Sequence, residues 1–266
     1  MDSTQSSSTD EHQTIHEGTI ESLFDFPFDR FGRLWFRGQA CEEWELRPGL
    51  LRREAKFGYD KIVTVETPLN QEFRRHAARY LAPSVRDSLV ELYFQAQHAG
   101  FPTRLMDWTT NPLAGVFFAV EETGEDDCTG GALFALDVAH LYIAEETQLR
   151  LAIETLFRSI ADVSKSPFWS QKPDAPLAVE PNLREGRMAQ QSSRFTFHFG
   201  IDDWPQRVVH QWTIPRSAKR KILYQLESLN VTRATLFPDL DNLARHFAKG
   251  LDPSLRSYVF GEGEDL

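Results

Sequence analysis

Apolar residues recur along this chain with two periods. Within residues 32–39, Leu34 and Phe36 alternate with Trp35 and Arg37, which predicts a strand that stops at Gly38. Trp44, Leu46, Pro48 and Leu50 continue at period two, so a second extended segment is expected behind it. The helical period appears over 65–82, with Phe73, Ala77 and Tyr80 on one side, and over 84–98, with Leu89, Leu92, Tyr93 and Ala96 inward. Leu113, Val116, Phe117 and Val120 stand at i, i+3, i+4 and i+7, behind Asn111 as an N-cap and Pro112 at the first helical position. Helices are predicted over 149–160, 217–229 and 238–251, strands over 131–136, 194–199 and 206–214, and a short amphipathic entry element over 21–28. Residues 166–181 read as a proline-rich loop. Helices and strands mix without regular alternation, which favours one α+β mixed-sheet domain over a doubly wound sheet.

The segment from His98 to Ala119 combines two compositions. Its first half holds Gly100, Pro102, Thr103, Arg104, Asp107, Trp108, Thr109 and Thr110, and its second half is apolar. It reads as a polar loop held against a buried helix, whose first-turn amides favour an anion. Arg37, at a strand end beside Gly38, offers a planar fork suited to a phosphate or carboxylate. Each residue also has a plain structural use: Arg104 and Asp107 as a mutual pair, Arg37 as a sheet-edge ion pair.

Composition narrows the partners. The chain has 266 residues, 41% of them apolar, enough for one full core, and a net charge of −10. Dense coating of nucleic acid is disfavoured, although basic residues gather between 47 and 79 and between 216 and 221. The longest apolar run is too short to span a bilayer, and no signal peptide is visible. Cys41 and Cys128 are distant in sequence and need not pair, which suits a reducing cytoplasm. No Cys/His pair has metal-ligand spacing, so no metal is expected. Residues 1–17 read as a disordered N-terminal tail, 18–258 as one domain and 259–266 as an acidic C-terminal tail.

Several motifs in order resemble the FRG domain family: Phe36-Arg37-Gly38-Gln39, Trp44-x-Leu46-x-Pro48-x-Leu50, Gly100-x-Pro102-Thr103-Arg104-Leu105-x-Asp107-Trp108-Thr109-x-x-Pro112-Leu113, and Leu236-Phe237-Pro238-Asp239-Leu240-Asp241-x-Leu243-Ala244. A late Gln-x-Gly-x-Phe pattern is matched around Gln191 to Phe195, with Ser193 in the glycine's place. The resemblance implies a split-sheet core with inserted helices, similar in plan to ADP-ribosyltransferases. It further implies an NAD-dependent transferase of the bacterial toxin or antiphage effector type, with NAD as co-substrate. Arg37 and Arg104 would then clamp the diphosphate. Gln39, His98 and Thr109 would meet the ribose hydroxyls, Gly38 and Thr103 would also contact the cofactor, and Trp108, Trp35 or Phe195 would stack on nicotinamide. Asp107, Glu180, Gln191 or Asp239 would face the developing positive charge. The implied acceptor is single-stranded nucleic acid, RNA favoured, or protein, and a neutralising antitoxin protein is the implied partner. A non-enzymatic nucleotide-binding module and an NAD glycohydrolase are the alternatives.

Overall fold

The computed structural model describes residues 12–14, 18–21, 33–53, 58–121, 129–157, 175–180, 193–200, 204 and 209–236. Seven strands form one sheet: β1 (His12–Thr14), β2 (Leu34–Gln39), β3 (Leu105–Thr109), β4 (Gly130–Asp137), β5 (Leu177–Val179), β6 (Ser193–Phe197) and β7 (Val209–Pro215), in the order β1-β7-β4-β2-β3-β6-β5. β1 joins β7 in parallel and every other pairing is antiparallel, so the architecture is mixed α/β. The helices are α1 (Tyr59–Ala77), α2 (Pro83–Asp87), α3 (Leu89–His98), α4 (Pro112–Val120), α5 (Glu146–Phe157), α6 (Arg216–Ser228) and α7 (Arg233–Leu236).

One face of the sheet carries its helices in two groups. Val116, Phe117, Ala119 and Val120 of α4, with Ala218, Ile222 and Leu226 of α6, pack on Phe36, Leu133, Ala135, Trp212 and Ile214. Tyr93 and Phe94 of α3, with Ile153 and Leu156 of α5, pack on Leu105, Leu177, Phe195 and Phe197. The boundary between these groups is the β2/β3 seam. All six residues of β2 pair with β4, and all five of β3 pair with β6, yet β2 and β3 share the single pair Phe36↔Thr109. The two halves of the sheet therefore part at the C-terminal end of β2 and the N-terminal end of β3.

Glycine explains how closely α4 sits. A Cβ on Gly38 would overlap the carbonyl oxygen of Gly115 and the nitrogen of Ala119, and one on Gly131 would overlap the carbonyl oxygen of Ala119. The helix backbone thus rests almost on the strands. Its start follows the cap read from sequence, since Asn111 Oδ1 accepts from Leu113 N at 3.0 Å with Pro112 in the first turn.

Arg104 fixes the other half. Its guanidinium is buried, 1% exposed, and donates from Nε to both carboxylate oxygens of Glu66 on α1 (2.8 and 2.9 Å) and from Nη2 to Glu66 Oε2 (2.6 Å). Nη1 donates to the carbonyl of Phe199 at 2.7 Å. Its own amide donates to Tyr93 Oη at 2.9 Å, and its carbonyl accepts from His198 N at 3.0 Å. Burial, with the Glu66 charge nearby, pushes the Tyr93 phenol above its usual range, so it stays neutral.

A second polar chain crosses the opposite face. Trp108 Nε1 donates to Thr196 Oγ1 at 2.9 Å, and Thr196 Oγ1 lies 2.9 Å from His198 Nε2. Burial, then the charges of Arg104 and Arg37, hold His198 down to about 3. The ring is therefore neutral at pH 7.

Several elements depart from their predicted form. Residues 98–111, expected as a loop, contain β3, and the expected 166–181 loop contains β5. The 44–50 segment is irregular instead of extended. The N-terminal segment expected to be disordered supplies β1. Cys41 is disulfide-bonded to a partner outside the described residues, so the cysteine argument for a reducing compartment does not carry over. The predicted 238–251 helix and nearly all of the 21–28 element lie outside the described residues.

Gly38→Ala is expected to lower stability by at least about 2 kcal/mol in urea denaturation, because neither overlapping atom belongs to a flexible side chain. An unchanged midpoint would contradict the close approach. Glu66→Ala should cost roughly 3–5 kcal/mol by stranding a buried cation, and Glu66→Leu combined with Arg104→Met should recover part of the loss. Because the folded-state pKa of His198 is depressed, its contribution is complete above about pH 6.5 and is lost as pH falls towards 3. His198→Gln should flatten the stability curve between pH 6 and 4, where the wild-type slope carries up to about 1.4 kcal/mol per pH unit from this group.

Candidate functional site

The mouth of the β2/β3 splay is a cavity of about 430 Å³. Two loops wall it, 47–52 after β2 and 100–102 before β3, and they are tied by Leu50 N donating to the Thr103 carbonyl at 3.2 Å. Gly100, at φ +80°, makes the turn that brings the second loop round from α3. The polar side chains on its walls are Arg37, Arg47, Arg52, Gln97 and Asp107.

Arg37 stands where strand pairing fails. Its Nη1 donates to the main-chain carbonyl of Asp107 at 2.8 Å, so a side chain takes the place of a ladder bond across the seam. Its Nε is buried with no hydrogen-bond partner among the described residues. Burial lowers its pKa to about 10, with Asp107 opposing and Arg52 adding to the shift, so it remains a cation at pH 7. Desolvation also lowers the pKa of Arg52, and Asp107 again opposes. Arg52 Nε donates to the Arg47 carbonyl at 3.0 Å, and Arg47 pairs with Glu45 at 3.1 Å.

Asp107 is exposed and its Oδ2 accepts from Gln97 Nε2 at 2.7 Å. Gln97 Oε1 in turn accepts from the Thr103 hydroxyl, whose oxygen also accepts from Leu105 N at 3.1 Å. The amide of Gln97 therefore orients the carboxylate from α3. Three arginines face one carboxylate, and the cleft favours an anion.

Alternation places Trp35, Arg37 and Gln39 on one face of β2. Gln39 is 3% exposed, and neither its amide nitrogen nor its oxygen is partnered among the described residues; the same holds for Trp35 Nε1. Three successive positions on this face thus carry unspent hydrogen-bonding capacity, in a structure where buried polar groups are normally satisfied.

The expected site residues fare differently. Arg37 and Asp107 line the cleft, and Thr103 is buried just behind it. Arg104 does not reach the cleft, because Glu66 and Phe199 occupy its guanidinium. Trp108, Trp35 and Phe195 are core residues, 3%, 0% and 4% exposed, and offer no open stacking wall. Gly38 faces α4 and not a ligand. Thr109 Oγ1 accepts from Asn111 N at 3.0 Å and so shapes the entry to α4. His98 ends α3 exposed, outside the cleft lining, while its neighbour Gln97 enters it. Glu180 follows β5, beyond β6 from β3, and pairs with Arg33 at 2.6 Å. Gln191 and Asp239 lie outside the described residues.

Arg47, Arg52 and Gln97 are the cleft residues that the sequence reading misses. Arg47 and Arg52 are there assigned to a surface basic strip. Their position, directly after the end of the Arg37 strand and around Pro48-Gly49, was the available signal.

No helix among the described residues is long and apolar enough to cross a membrane, and no group of His, Cys, Asp and Glu among them has the arrangement of a metal site. Searches of curated proteins and of solved structures returned no match. The family model of the FRG domain matches residues 32–128, a span that opens just before β2, contains both loops of the cleft and runs past α4. Residues 32–128 therefore match an FRG domain, with the Phe-Arg-Gly motif at Phe36, Arg37 and Gly38.

Proposed function

We propose that the cleft at the sheet split binds the diphosphate of NAD and that the protein is an ADP-ribosyltransferase. The observation that carries this reading is Arg37, held across the seam with a buried unpartnered Nε and flanked by Arg47 and Arg52. Planar guanidinium forks suit diphosphate oxygens, and the volume falls within the range of small-molecule sites. The Gln39 amide, unspent on the same face of β2, is buried behind the cleft and adds unsatisfied polar capacity beside Arg37.

NAD supplies a glycosidic bond whose cleavage releases neutral nicotinamide and leaves positive charge on the ribose, to be taken up by a nucleophile of the acceptor. The chain contributes placement and charge. Arg37, Arg47 and Arg52 hold the phosphates, and Asp107, oriented by Gln97, presents a carboxylate beside the cation that develops. The acceptor we favour is single-stranded nucleic acid, RNA before protein. An activity of this kind fits a toxin or antiphage effector that is kept in check by a neutralising partner protein.

A second reading rests on a specific observation. Asp107 is the one acid lining the cleft among the described residues, and its carboxylate is spent on Gln97. That favours a module that holds a nucleotide without cleaving it.

Incubation with NAD, with nicotinamide release followed by chromatography and affinity by calorimetry, separates the two. Arg37→Lys keeps the charge but loses the fork, and Arg52→Ala removes an exposed cation. Each is expected to weaken NAD binding about 10- to 100-fold, the range of a lost charged hydrogen bond. Asp107→Asn should lower release far more than affinity. Binding without release would favour the module, and absence of NAD binding would end both readings of the cleft.

A further inference from the structure

A second cavity, of about 680 Å³, lies on the far side of α3 from the cleft. Leu92 and Phe157 floor it, while Gln71, Arg74, Arg75 and Arg86 line its walls. Arg79 and Tyr80 sit in the turn between α1 and α2, the two helices that supply those arginines. We propose that this groove docks the backbone of a single-stranded polynucleotide. The binding claim stands by itself; that the bound strand is the acceptor rests on the transferase reading.

The charge balance is the first argument. Between residues 71 and 87 the chain holds four arginines and only two acids, Glu72 and Asp87, although acids outnumber bases by 39 to 29 overall. Glu72 pairs with Arg75 at 2.6 Å and with His76 at 3.3 Å. Arg74, Arg79 and Arg86 make no ion pair among the described residues, and Asp87 is the one carboxylate lining the groove. A helix C-terminus accounts for Arg74 and Arg75 through the macrodipole. Arg79 and Arg86 stand likewise in the last turns of the two short helical segments that follow α1, and both stay without an ion pair among the described residues.

The second argument is the ring. Tyr80 is 75% exposed, the most exposed of the large apolar side chains described, and the Arg79 guanidinium lies over it at 4.7 Å. An exposed aromatic backed by a cation, beside a row of unpaired guanidinium groups, is the combination that stacks a base while its phosphates are neutralised. An acidic peptide would use the charges but has no use for the ring. Position is the third argument. Leu92 floors the groove and Gln97 lines the cleft, five residues or roughly 7.5 Å of rise and about 140° of turn apart, so the two cavities flank the same helix α3.

The test is fluorescence anisotropy of the full chain with a fluorescein-labelled single-stranded RNA and its DNA counterpart, over a salt series. The triple variant Arg74→Ala, Arg79→Ala, Arg86→Ala breaks no described ion pair and is expected to fold as wild type, checked by circular dichroism. It should bind at least tenfold more weakly, with the salt slope reduced by about 2, the loss expected for three single-strand contacts. Tyr80→Ala should weaken binding several-fold more than Tyr80→Phe. NAD affinity, measured in parallel, should be unchanged in all of these variants, so failure at the cleft and failure at the groove read out separately. Equal affinity of the triple variant, no binding by wild type, or displacement of the oligonucleotide by polyglutamate as efficiently as by unlabelled RNA would each overturn the proposal.

Discussion

One guanidinium organises the half of the molecule that carries the cleft. Arg104 is buried with Glu66, and its amide, carbonyl and side chain tie together α1, α3 and the end of β6. A buried pair of this kind is weak evidence for net stability, because desolvation of both ions offsets most of their attraction. What it provides is position. The residue before β3 cannot shift without leaving a buried charge unpaired, so the start of β3, and with it the Asp107 carbonyl that Arg37 grips, is held where the sheet opens.

The three letters of the Phe-Arg-Gly motif then separate into three physical tasks. Phe36 is the last residue of β2 to pair with β3 and is buried under α4. Gly38 admits the backbone of α4 at a distance no Cβ would permit. Between them, Arg37 points to the opposite face and bridges the gap that α4, pressed on one half of the sheet, leaves beside the other half. The helix packing and the open seam are therefore two aspects of one arrangement. A sheet paired along the whole of β2 would leave no cleft for the arginine to line.

Elements whose signal is local were legible in the sequence. The cap, proline and apolar spacing of α4 depend on residues within nine positions, and the helix forms as read. The alternation of β2 is equally local. β3 was missed because Thr103 to Thr110 has the composition of a polar loop, while its strand character comes from partners in β6 some ninety residues away. The roles of the two arginines were assigned alike for the same reason. Nothing near Arg104 announces Glu66, 38 positions earlier, and nothing near Arg37 announces that β3 will come within reach. Trp108 read as a stacking wall because an indole in a polar segment is ambiguous until Thr196 is seen to accept its proton.

The same reasoning explains how a chain of net charge −10 presents cationic surfaces. Its acids are not spread evenly. Glu66 is consumed in the core, Glu180 by Arg33, Glu121 by Arg233 and Glu72 by Arg75. Arg74 and Arg86, which make no ion pair among the described residues, stand on the walls of the groove beside α1 and α2, and the cations of the cleft outnumber the single carboxylate that lines it. Overall charge governs solubility and long-range repulsion, whereas recognition depends on the charges left over after internal pairing. Here α3 lies between the two cationic surfaces, with Leu92 under one and Gln97 beside the other, so whatever orders that helix sets the spacing between them.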